Sequence, residues 1–108
     1  MQPQLIAQYV NAAHAANQQG QPAKAVEFSQ MALALNPGMA EAWFNLGIAQ
    51  ARLGQNSAAI SALEQARQRC MDSAEGQNSI GLHLLELGAL DTAEACLRQA
   101  VKLAPNYA

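Results

Sequence analysis

Gly20, Gly54 and Gly88 stand 34 residues apart, and other positions keep the same step. Ala25, Ala59 and Ala93 form one set, Ala32, Ala66 and Ala100 another, and Ala13, Gly47 and Gly81 a third. Alanine and glycine together make up somewhat under a third of the chain. At that frequency, nine small residues at nine preset places arise by chance on the order of once in 100,000 trials, so the repeat is real. A period of this length marks an array of stacked helix pairs.

The units run 6–39, 40–73 and 74–107, and apolar residues within each fall at helical spacing. In the second, Trp43, Leu46, Gly47 and Gln50 line one stripe, and Ile60, Leu63 and Arg67 follow on the next helix. The glycine near the middle of each unit ends the first helix. "GQPAKA", "GQNSAA" and "GALDTA" then open the second helices, with Pro22 in a first turn and Asn56 or Ser57 as an N-cap. "LNPG" and "LAPN" close second helices, and Asp72 with Glu75 has capping-box spacing for the next one. The expected fold is all-α, an α-solenoid of three antiparallel helix hairpins in one domain spanning 1–108.

Gly47 lies in mid-helix, where glycine costs roughly 1 kcal/mol relative to alanine. Small residues at three places per unit let two helices approach closely, with Trp43 expected to fill the space beside them. The pattern therefore reads as packing.

Composition narrows the function. Charged residues are 13% of the chain and the formal net charge is −2, which gives nucleic acid or an anionic membrane no basic face. No run approaches a membrane span, and "MQPQLIAQYV" lacks the build of a secretory signal. Cys70 and Cys96 read as small hydrophobes in a reducing cytoplasm. His83 has no companion at metal spacing, so neither a metal nor a cofactor is expected. Nothing resembles a phosphate loop, a nucleophile–base pair or a paired-carboxylate site, so catalysis is not expected either.

The 34-residue step, "W-x-x-L-G" at Trp43, Leu46 and Gly47, then Gly54, Ala59, Ala66 and the closing Pro37 and Pro105, resemble the tetratricopeptide repeat. The first unit has Tyr9 at the tryptophan place and the third has Gln77, whose local packing is the open point. The resemblance implies a right-handed superhelix whose first helices line a concave face that holds an extended peptide or a partner's helix. "AEAWFNLGIAQARLGQ" is also similar to repeats of O-linked N-acetylglucosamine transferases.

On that reading the wall comprises Ala7, Val10, Asn11, His14, Asn17 and Gln18, then Glu41, Phe44, Asn45, Ile48 and Arg52, then Glu75, Asn78, Ser79, Leu82 and Glu86. Of these, Asn11, His14, Glu41, Phe44, Asn45, Ile48, Arg52 and Asn78 are the candidate peptide-binding residues. Asn11 and Asn45 are equivalent, one repeat apart; a carboxamide pairs with a peptide backbone, or simply solvates a helix face. Phe44 and Ile48 form an apolar shelf for a ligand or pack on a neighbouring helix. His14 either donates to a ligand or is an ordinary polar group. The carboxylate clamp of chaperone-binding relatives would fall at Val10, His14, Asn45, Glu75 and Ser79, with only Asn45 agreeing. The acidic wall thus favours neutral or mildly basic partners.

After Pro105 only Asn106, Tyr107 and Ala108 remain, leaving Leu90, Leu97 and Val101 expected bare. Such an end implies a longer parent protein or a surface that mates with a second copy. The expected function is a protein–protein interaction scaffold. The alternatives are self-association through that end and a substrate-targeting arm of a larger enzyme such as a glycosyltransferase.

Overall fold

The computed structural model describes residues 3–105; residues 1–2 and 106–108, which include the end of the third unit, lie outside them. Six helices follow one another: α1 (Pro3–Gln18), α2 (Pro22–Leu35), α3 (Ala40–Arg52), α4 (Asn56–Arg69), α5 (Ala74–Glu86) and α6 (Leu90–Leu103). Among the described residues there is no strand. The helices pair as α1–α2, α3–α4 and α5–α6, and the pairs stack in chain order as a helical-repeat solenoid.

Two kinds of glycine shape the hairpins. Gly20, Gly54 and Gly88 hold φ of 73°, 79° and 82°, the left-handed region, at the tip of each turn. The next residue's N–H donates back to the preceding helix: Gln21 to Ala16 at 2.8 Å, Gln55 to Gln50 at 2.9 Å and Ala89 to Leu84 at 3.0 Å. That bond satisfies a carbonyl the helix end would otherwise leave bare. Gly47 and Gly81 answer to space instead. A Cβ on Gly47 would lie 2.8 Å from Leu63 Cγ, and one on Gly81 would lie 2.9 Å from Leu97. The residue seated directly over Gly47 is therefore Leu63 of α4.

Trp43 works at the junction between pairs. Its ring packs on the cluster of Leu63, Ala66, Ile80 and Leu84, and its Nε1 donates to the Pro37 carbonyl at 2.8 Å. The turn there is shaped by Asn36, whose Oδ1 accepts from the Gly38 N–H at 3.0 Å. In the third unit Gln77 takes the tryptophan's place, 0% exposed, and its Nε2 donates to the carbonyls of Arg67 at 2.9 Å and Cys70 at 3.0 Å. A polar side chain does the pinning that the indole does one repeat earlier.

The caps differ from expectation in two places. Asn56 begins α4 rather than capping it, because the hairpin bond already fixes Gln55 as the residue before the helix. The cap of α5 is Ser73, whose Oγ accepts from the Gly76 N–H at 2.9 Å, so the Asp72–Glu75 box does not form. Pro22 does stand in the first turn of α2.

The junctions between pairs are unequal. Where α2 meets α3 the buried contacts are Ala32 and Ala42, and the helices come close. Where α4 meets α5, Leu63, Ile80 and Leu84 hold the helices further apart. The seam between α1 and α3 carries three polar bridges. Asn17 Nδ2 donates to the Asn45 carbonyl at 3.0 Å, Asn45 Nδ2 reaches the Val10 carbonyl at 3.5 Å, and the Arg52 guanidinium donates to the Asn17 carbonyl.

Two stability outcomes follow. Gly47→Ala lowers the denaturation midpoint, by about 1 kcal/mol net, because an overpacking cost of about 1–3 kcal/mol exceeds the gain in helix propensity. Denaturant titration of Gly47→Ala, Leu63→Ala and the double variant checks it: the leucine truncation must cost less in the Gly47→Ala background than in the unaltered chain. Asn17→Ala removes a buried bridge and costs about 1 kcal/mol, whereas Ser79→Ala stays within about 0.5 kcal/mol. Equal losses at the two sites would show that the α1–α3 bridges carry no stability.

Candidate functional site

Helices α1, α3 and α5 present one face, and the packing decides which of its side chains reach solvent. Asn11 and His14 of α1 and Glu41 and Arg52 of α3 are exposed. Phe44, Ile48 and Asn78 are half-buried. Asn45 is not on the open surface: it is 4% exposed, with its amide turned toward α1 as described. Val10 and Asn17, which the helical spacing placed on the wall, are buried in the same seam. Arg52 stays exposed while its guanidinium closes that seam. Helical periodicity identifies a stripe, but the angle between hairpins decides which edge of the stripe is covered.

Phe44 packs toward α5, where its ring meets His83 edge-on, with centroids 5.4 Å apart and planes at 71°. Spacing alone marks His83 only as a histidine without metal companions. The missed signal is its place in the third unit, 39 residues after Phe44, on the α5 turn that faces it. The contact divides the space between α3 and α5 into two hollows. One, of about 460 Å³, is lined by Glu41, Phe44, Cys70, Glu75, Ser79 and Ile80 among others. The other, of about 290 Å³, includes Ile48, Arg52, His83 and Glu86.

The two cysteines are free thiols. Burial pushes the Cys96 thiol up to about 11 and raises that of Cys70, so both stay protonated near neutrality and neither is an activated nucleophile. Among the described residues no three His, Cys, Asp or Glu side chains gather as metal ligands, and no helix is long and apolar enough to cross a membrane.

At the other end, Leu90 and Val101 are 61% and 54% exposed, while Leu97 is half-buried over Gly81. With Leu85, Ala93, Glu94 and Arg98 they border an apolar groove of about 610 Å³.

Comparison with known proteins matches these features to one family. Tetratricopeptide repeat models match residues 6–76 and 49–108. No curated protein matches the chain. Among solved structures, MamA superposes with a TM-score of 0.77 at 24% identity, over 94% of this chain and 60% of that one. A mutant O-GlcNAc transferase of Thermobaculum terrenum gives 0.79 at 23%, over 97% of this chain and only 20% of the transferase. The first tetratricopeptide domain of Spaghetti (RPAP3), bound to the HSP90 peptide SRMEEVD, gives 0.82 at 18%, over 99% and 87%. At these identities the likeness speaks for the fold. With its repeat period, its paired helices and a family match over most of its length, the chain belongs to the tetratricopeptide repeat family.

Proposed function

We propose that this domain is an interaction scaffold that holds an extended peptide, or a partner's helix, on the α1–α3–α5 face, which we take to be the concave side of a right-handed superhelix. The observation that carries the reading is the arrangement on that face: exposed Asn11, His14, Glu41 and Arg52 flank the half-buried Phe44, Ile48 and Asn78, with hollows beside the aromatic ring. Polar groups around a partly covered apolar centre suit peptide recognition. The RPAP3 domain, with a similar fold, holds a peptide and supports this reading. That peptide is acidic, whereas Glu41 and Glu75 make this face a poor host for acidic tails, so the partner here is a neutral or mildly basic segment. The free thiols of Cys70 and Cys96 suit a reducing compartment, and we place the protein in the cytoplasm.

A second reading, self-association, is favoured by the exposure of Leu90 and Val101 along the terminal groove. Sedimentation across a concentration series separates it: a mass that grows with concentration and is lost in Leu90→Ser/Val101→Ser assigns that groove to a second copy.

For the scaffold reading, a displayed library of random nine-residue peptides is selected on the intact domain. The selected peptides should lose about tenfold in affinity to Asn11→Ala/Glu41→Ala/Phe44→Ala, measured after circular dichroism shows that the variant folds. They should bind Leu90→Ser/Val101→Ser unchanged. The reverse pattern moves the site to the terminal groove.

A further inference from the structure

We infer that the larger hollow between α3 and α5 is a socket for one lysine or arginine side chain of the bound peptide. The inference rests on the peptide-binding reading above and adds the chemistry of one position.

The socket exists because the polar bridges of the first seam have no counterparts in the second. One repeat on, Val10, Asn17, Asn45 and Arg52 become Phe44, Ala51, Ser79 and Glu86. Alanine has no amide to donate, and the serine hydroxyl ends one bond short of the asparagine amide nitrogen. Glu86 is an acceptor where Arg52 is a donor. The three donors that bridge the first seam, Asn17, Asn45 and Arg52, thus have no equivalent of the same reach and kind in the second. With those bridges gone and Leu63, Ile80 and Leu84 setting the spacing, α5 stands off from α3.

The lining then selects the occupant. Phe44 and Ile80 offer apolar surface, Ser79 offers a hydroxyl, and Glu41 and Glu75 supply two carboxylates with no cation among the lining residues. A long aliphatic stem ending in a positive charge satisfies both halves: the methylenes cover Phe44 and Ile80 while the charge meets the carboxylates. A purely apolar side chain would draw water from Glu41 and Glu75 without replacing it, and an acidic one would be repelled. The smaller hollow has no such bias, since Arg52 and Glu86 set one charge of each sign in its wall.

The test uses the peptides selected from the displayed library. A lysine or arginine should recur at one position, and its replacement by norleucine should weaken binding to the intact domain about fivefold. That difference should vanish in Glu41→Gln/Glu75→Gln and persist in Glu86→Gln, and it should shrink as salt rises. Ala51→Asn/Ser79→Asn, which restores donors to the second seam, should fold as shown by circular dichroism and bind peptides without the basic preference. Selected peptides with no favoured basic position, or a preference that survives Glu41→Gln/Glu75→Gln, overturn the socket and leave the scaffold reading standing. If no peptide is selected, both fall together.

Discussion

The close approach of the two helices inside each hairpin, tightest where a leucine seats over a glycine in the second and third, is what the remaining structure depends on. At Gly47 and Gly81 the absent Cβ lets Leu63 and Leu97 seat directly on the partner helix. Alanine fills most of the remaining interior, including Ala13, Ala25, Ala32, Ala59, Ala66, Ala93 and Ala100. Side chains this small bury little area each, so stability comes from how closely the helices approach rather than from bulk. The mid-helix glycines are the local cost of that approach.

Much of this was legible in the chain itself. The period, the hairpin glycines and the pairing of helices follow from spacing alone, because they are properties of one unit repeated. The exceptions are relations between units or between neighbouring turns. Asn45 and Asn17 carry the polarity of surface residues, yet the seam buries both and uses their amides. No pattern within one helix distinguishes an amide that bridges helices from one that faces water. Gln77 stood out as a departure from the tryptophan place, and the structure supplies the compensation, two hydrogen bonds to the end of α4 and the turn after it. The caps failed by a single residue, since Asn56 and Asp72 are each one step from the residue that occupies the cap.

The face shared by α1, α3 and α5 gains its character from inequality between repeats that are otherwise alike. Three side-chain bridges knit α1 to α3 and leave that part of the face continuous. Their replacement by Ala51, Ser79 and Glu86 parts α3 from α5, and the Phe44–His83 contact is the one aromatic bridge across the opening among the described residues. A repeat array thus acquires a local recess through the loss of bridging side chains, with no insertion in the chain and no change of period.

Gln77 also sets a pivot. It ties the first turn of α5 to α4, while the far end of α5 carries no equivalent polar tie to α3 among the described residues. A rod fastened near one end moves little there and most at the other. At 1.5 Å of rise per residue, a tilt of about 10° about Gln77 shifts Ser79 by about 0.5 Å and Glu86 by about 2 Å. The hollow next to Ser79 therefore keeps its shape through such a motion, and the one between Arg52 and Glu86 widens and narrows with it. Any such tilt would act on the two recesses unequally, sparing the one at Ser79 and altering the one at Glu86.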